Sequence, residues 1–163
     1  MKKMYVLVSV LCLILTVGCS SSGGGAKASI DPQLDEALNS YQTFLTNTLN
    51  ESNGLLNRFN TLVDNLYVQD ISSEQFSKVV KEIIKDSSAL VKQADGQDYY
   101  HQNLQAYHTS YLSYLNQQHQ LFLDSIEMAN KDRLDKAKLR QNYLKIKDSQ
   151  SAIINSWGTA AGS

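Results

Sequence analysis

The sequence predicts an all-α protein, an elongated up-and-down antiparallel four-helix bundle. Three observations lead there. Apolar residues recur at alternating steps of four and three along most of the chain, a spacing that strands cannot produce. After the first 30 residues there is neither an alternating strand pattern nor an internal repeat. The breaks between apolar stripes are short, and short connections favour antiparallel neighbours. The alternative arrangement is a three-helix bundle with a loosely packed C-terminal helix.

The first helix starts at Asp31-Pro32, where the only proline of the chain stands. Asp can cap the free amides, and Pro suits the first turn, where its missing N–H costs nothing. Asp35 and Glu36 add negative charge near the positive end of the helix dipole. A heptad-like seam then runs through Leu34, Leu38, Tyr41, Leu45, Thr48, Ser52, Leu55, Phe59, Leu62 and Leu66. It drifts sideways as a straight helix should. Gly54 is a candidate break, but the seam keeps its register across it, so one helix of ~55 Å is expected.

The second helix has a sharper start. Ser72 and Gln75 fit a capping box, with Ile71 and Phe76 placed as a hydrophobic staple. Its stripe runs from Val79 to Val91. Asp95-Gly96 marks its end, with Gly able to take the left-handed C-terminal position. A third helix is expected from about Asp98 to Ala129, on a face of Leu104, Tyr107, Tyr111, Leu115, Phe122 and Ile126. A fourth carries Leu139, Tyr143, Ile146, Ile153 and Trp157, interrupted by Gln150. The bundle domain is thus expected over residues 31–157, with 158–163 as a flexible tail.

The chain begins differently. Lys2 and Lys3 precede an apolar run, Met4 to Val17, of 14 residues. That is short of the roughly 20 residues that span a bilayer, and it suits the apolar region of a signal peptide. The stretch Leu15-Thr16-Val17-Gly18-Cys19 resembles the lipobox of bacterial lipoprotein precursors. Thr16 stands where that pattern usually has Leu. The resemblance implies that residues 1–18 are removed and that Cys19 carries a diacylglycerol and an acyl chain, with no other cofactor. Residues 19–30, Ser- and Gly-rich, then form a tether. Two competing readings are cleavage after Ala26-Lys27-Ala28 and retention as an uncleaved anchor. Cys12 lies inside the signal, so a chain starting at Cys19 holds no second thiol and no intrachain disulfide. Two or more acyl chains anchor stably where one is marginal. The expected location is outside the cytoplasm, attached to a bacterial cell membrane.

Charge narrows the partners. The whole chain has 15 basic and 16 acidic residues. Loss of Lys2 and Lys3 leaves 13 against 16, about −3, with no basic excess for binding nucleic acid.

Residues 99–119 hold five of the nine tyrosines and all three histidines. At 100° per residue, His101, His108 and His119 form one line along one shoulder of the apolar face, while Tyr100, Tyr107, Tyr111 and Tyr114 edge the other. The tyrosines are the candidate partner-binding surface, since rings with a polar handle are enriched at interfaces. They also suit a boundary between core and water. The histidines are weak metal candidates. His101 and His108 are about 10 Å apart along the axis, and His108 and His119 about 16 Å. Two ligands on one helix need a spacing of three or four. An ion would therefore need ligands from another helix, such as Glu82.

No H-E-x-x-H, C-x-x-C, G-x-S-x-G or phosphate-loop pattern is present, so no catalytic residue is assigned. The expected function is that of a membrane-anchored cell-envelope lipoprotein, a non-enzymatic module that binds another envelope protein. Envelope assembly and exclusion of phage or conjugative DNA are roles of this kind. The alternative is a haem or metal carrier using the third helix.

Overall fold

A computed structural model describes residues 32–98 and 102–162. The expected signal and tether segments, with Cys19, lie outside the described residues, as do Tyr100 and His101. Four helices follow in order: α1 (Pro32–Tyr67), α2 (Ser73–Asp95), α3 (Gln102–Asn130) and α4 (Lys136–Gly162). With 36 residues, α1 is ~54 Å long. α1 and α3 each pack against both α2 and α4, and they approach one another across the diagonal. The chain therefore folds as a four-helix bundle, in which α4 is a full member.

α1 runs through Gly54 without interruption. A methyl group at that position would meet nothing within 4 Å. Glycine in a helix interior costs about 0.5–1 kcal/mol relative to alanine. Gly54→Ala is therefore expected to stabilise the bundle by that amount, read as a higher urea midpoint at unchanged slope; a loss of stability would mean that a bend at Gly54 matters to the fold.

α2 opens with the expected capping box. The Ser72 hydroxyl accepts from the Gln75 amide at 3.2 Å, and the Ser72 amide donates to the Gln75 side chain at 2.8 Å. Phe76 is fully buried and Ile71 packs at the core edge.

The helix ends differ from expectation in an instructive way. α1 closes with two backbone bonds, Asp70 N–H to Asn65 carbonyl (2.9 Å) and Gln69 N–H to Leu66 carbonyl (3.4 Å). α3 closes likewise, Arg133 N–H to Met128 carbonyl (2.9 Å) and Asp132 N–H to Ala129 carbonyl (3.1 Å). Both are Schellman closures, which need a left-handed residue. Gln69 (φ 63°) and Asp132 (φ 51°) supply it. Gly96, expected in that role, has φ −80° instead. The C-terminal turn of α2 stays right-handed, with Gly96 N–H bonded to the Lys92 carbonyl at 3.1 Å.

Two further boundaries shift. Asp98 itself lies outside any helix, and α3 is described from Gln102. α4 continues through residues 158–162, where a flexible tail was expected. Trp157 and Ala160 pack against the core, and that anchor holds the last turns in helical form.

The core has two unlike halves. The half away from the start of α1 is mainly aliphatic and aromatic: Leu56, Phe59, Val63, Phe76, Ile83, Phe122 and Leu139 are buried there, beside the hydroxyls of Ser87 and Ser125. Phe122 and Phe59 meet at 5.3 Å between ring centroids, and Phe59 meets Phe76 at 6.1 Å. The half nearer the start of α1 buries Tyr41, Thr48, Ser52, Tyr107, Tyr111, Tyr114, Gln118 and Gln150. Outside the core, side chains bridge the helices as rungs. Lys147 donates to Asn53 at 3.0 Å, Arg140 to Asn60 and Asp64, and Lys136 to the Leu66 carbonyl. Arg58 pairs with Asp86 at 2.9 Å and Glu82 at 3.8 Å. Such exposed pairs contribute about 0–1 kcal/mol each; they serve mainly to show which residues lie level.

Candidate functional site

Tyr107 is 6% exposed, Tyr111 0% and Tyr114 1%, so the sequence-based expectation of a tyrosine surface fails for these three. The reason is that α3 has neighbours on both shoulders. The histidine shoulder meets α2, and the tyrosine shoulder meets α4. Tyr107 donates to the Ile153 carbonyl at 2.9 Å, and its ring lies edge-on to Trp157 at 5.2 Å. A band counted as the edge of the apolar face is its middle.

Each phenol has a partner. Tyr111 donates to the Thr48 hydroxyl at 2.7 Å, which donates to the Phe44 carbonyl at 2.9 Å. Around Tyr114 the bonds form one directed ladder. Ser52 has a single hydroxyl hydrogen and gives it to Gln118 Oε1 at 2.5 Å. Tyr114, 2.5 Å from the same hydroxyl, must then be the donor to Ser52. Gln118 returns a bond from Nε2 to the Ser52 carbonyl at 3.0 Å. Tyr114 is also hydrogen-bonded to Gln150. Since the Tyr114 hydrogen goes to Ser52, the phenol oxygen accepts from the Gln150 amide nitrogen, while Gln150 Oε1 accepts from Lys147. The ladder thus runs from Lys147 on α4, through Tyr114 on α3, to Ser52 on α1. Gln150, read in the sequence as an interruption of the apolar stripe, is its central step.

Burial pushes the Tyr107 phenol up to about 12. Burial raises Tyr114 to about 12 as well, opposed by its bonds with Ser52 and Gln150. Tyr111 is also raised by burial. At neutral pH these groups are protonated donors, and none is poised as a base or nucleophile.

The two described histidines belong to the same polar interior. His108, 9% exposed, donates from Nε2 to the Ala94 carbonyl at 3.0 Å, and Tyr41 lies 3.3 Å from Nδ1. With the hydrogen on Nε2, the neutral ring accepts the Tyr41 hydroxyl. His119 pairs through Nδ1 with Ser87 at 2.7 Å. Burial lowers both histidines from their ordinary value, against the opposing pull of the Ala94 carbonyl and Asp95 at His108. Glu82, the possible extra ligand, lies on α2 and faces Arg58. Among the described residues no three His, Cys, Asp or Glu side chains gather to hold a metal ion.

The sign of the linkage follows. An unfolded histidine takes up a proton near pH 6.5, whereas the folded one does so only at lower pH. Between those limits the unfolded chain binds more protons, so stability falls as pH falls through the window. Above pH 6.5 the contribution is nil. Thermal melts are expected to show a falling Tm from pH 7.5 to 5.5, with a smaller fall in a His108→Gln, His119→Gln variant. An unchanged slope in that variant would assign the effect to carboxylates.

The exposed candidate lies elsewhere and was missed in the sequence. Three stretches contain no Asp, Glu, Lys or Arg: residues 37–50, 99–123 and 149–163. They belong to the first halves of α1 and α3 and the second half of α4. Since α1 and α3 run one way and α4 the other, their described parts share one end of the bundle. The outward side chains there are amides and hydroxyls. On α3 they include Gln105, Thr109, Ser113, Asn116, Gln117 and Gln120, all exposed. α2 remains charged along its length. The signal was present as three charge-free windows; only the fold reveals that they coincide.

No family model matches the chain, and no curated protein or solved structure matches it. No helix among the described residues is long and apolar enough to cross a membrane.

Proposed function

We propose that this chain is a lipid-anchored cell-envelope protein that acts without catalysis, by binding another protein on the uncharged outer face of α3. The observation that carries the binding reading is that face, exposed from Gln105 to Gln120 and free of any formal charge. Charged groups are the most costly to take out of water, and the centres of protein interfaces are depleted of them. A face of amides and hydroxyls can be covered by a partner and still satisfy its hydrogen bonds. The tyrosines serve this role from inside, by fixing α3 against α4 and α1. The anchor rests on the lipobox-like stretch ending at Cys19. A haem or metal carrier gains no support from His108, both of whose ring nitrogens are engaged with Tyr41 and Ala94, and His119, bonded through Nδ1 to Ser87, has no second ligand gathered beside it among the described residues.

In-cell photocrosslinking from positions 105, 109, 113 and 116, with mass spectrometry of the products, tests the face. Adducts to one recurring envelope protein are expected there and not from positions 78 and 85 on α2. Equal yields from both sets would defeat the assignment. For the anchor, Cys19→Ser is expected to release the protein from membranes or leave its precursor uncut. A variant processed and membrane-bound as before would remove the lipoprotein reading.

A further inference from the structure

The groove between α1 and α4, at the uncharged end, is a second surface with different content. The rungs pair Asn53 with Lys147, Asn60 with Arg140 and Leu66 with Lys136. Continuing that register places Ile154 level with Thr46. At 100° per residue, Gln42, Thr46 and Leu49 point to the α4 side of α1, and Ser151 and Ile154 to the α1 side of α4. Ile154 is 52% exposed, among the most exposed large apolar side chains described. Leu49 beside it is half-buried. An apolar ridge is thus flanked by groups that both donate and accept hydrogen bonds.

We propose that this groove docks a second copy of the same chain, side by side, about a twofold axis parallel to the helices. Three features select that occupant. A twofold contact sets each surface against its own image, so a row of lysines or carboxylates would repel itself. Along the groove, residues 37–50 and 149–162 present none. Amides and hydroxyls are complementary to their own kind, because each is donor and acceptor at once. An axis along the bundle brings Ile154 of one copy over Thr46 and Leu49 of the other at the same height. It also leaves both α1 starts at the same end, so both chains can leave the pair toward one surface.

The contact is small. Two helix faces ~21 Å long and about 10 Å wide cover roughly 420 Å² in plan. Accessible area exceeds plan area, but this falls short of the roughly 800 Å² per partner of a standard specific interface. The pairing is therefore weak and concentration-dependent.

The test is sedimentation equilibrium of the full chain in density-matched detergent, up to roughly 0.5 mM, a range suited to weak association. A reversible monomer–dimer equilibrium is expected. Thr46→Lys alone and Ile154→Glu alone should each weaken it by about tenfold or more, since a buried charge is left unpaired. Mixing these two variants should restore a dimer, because the new charges then face each other across one half of the axis. Both positions are exposed, and an unchanged helical circular dichroism signal verifies that the variants fold. A wild-type chain that stays monomeric overturns the proposal. So does a dimer indifferent to both substitutions, or a mixture that fails to pair. None of these outcomes bears on the α3 face, whose crosslinks report a different partner.

Discussion

Replacing Phe122 with alanine is expected to destabilise the bundle by about 3–5 kcal/mol, the usual range for a fully buried phenylalanine. Phe122 is 0% exposed and packs on Phe59. The buried hydroxyls of that half, Ser87 and Ser125, are already bonded to carbonyls of their own helices, so little draws water into the space left behind and its lining loses contacts outright. Urea denaturation should show a lower midpoint with an unchanged slope, since the surface exposed on unfolding is nearly the same. Phe122→Leu, which refills most of the space, should cost much less. If alanine and leucine cost the same, the aromatic cluster is not a packed unit.

Ser52→Ala should cost nearly as much for the opposite reason. The change removes few atoms but leaves two buried needs unmet, the Tyr114 hydroxyl hydrogen without its Ser52 acceptor and Gln118 Oε1 without its Ser52 donor. Each such group costs about 1–3 kcal/mol, so a loss of about 2–4 kcal/mol is expected. For a domain of this size that lowers Tm by roughly 10 °C or more. The double variant Ser52→Ala, Tyr114→Phe should lose less than the two single variants added together, because the second change removes a group the first had orphaned. Simple additivity would mean that Tyr114 and Ser52 do not share a bond in solution.

The sequence was informative about elements and less so about sides. Heptad spacing settled α1 across Gly54, since an apolar seam in continuous register has only one helical solution. Ser72 and Gln75 named the start of α2 because a capping box is local chemistry, complete within four residues. Handedness at helix ends was not legible. Gln69 and Asp132 accept the left-handed position because packing of the following segment pays for the strain, and nothing within a few residues of them says so. The tyrosines were misplaced for a related reason. A single helix shows its mean apolar direction, but the width of its buried arc depends on how many neighbours it has. With α2 on one side and α4 on the other, both shoulders of α3 went inside. The charge-free windows are the converse: each is unremarked alone, and they acquire meaning only when the topology stacks them at one end.

The ladder from Lys147 to Ser52 has a consequence for how unambiguous the fold is. A bundle lined only with leucine tolerates slippage, because sliding one helix by seven residues exchanges one aliphatic side chain for another. Here such a slide would carry Gln150 about 10 Å along the axis, away from Tyr114. Misaligned versions of α4 would bury several donors and acceptors with no partner, and so lie well above the native arrangement. The polar steps contribute little net attraction compared with the leucines around them. They act instead as a ruler, and the chain has one length at which its marks coincide.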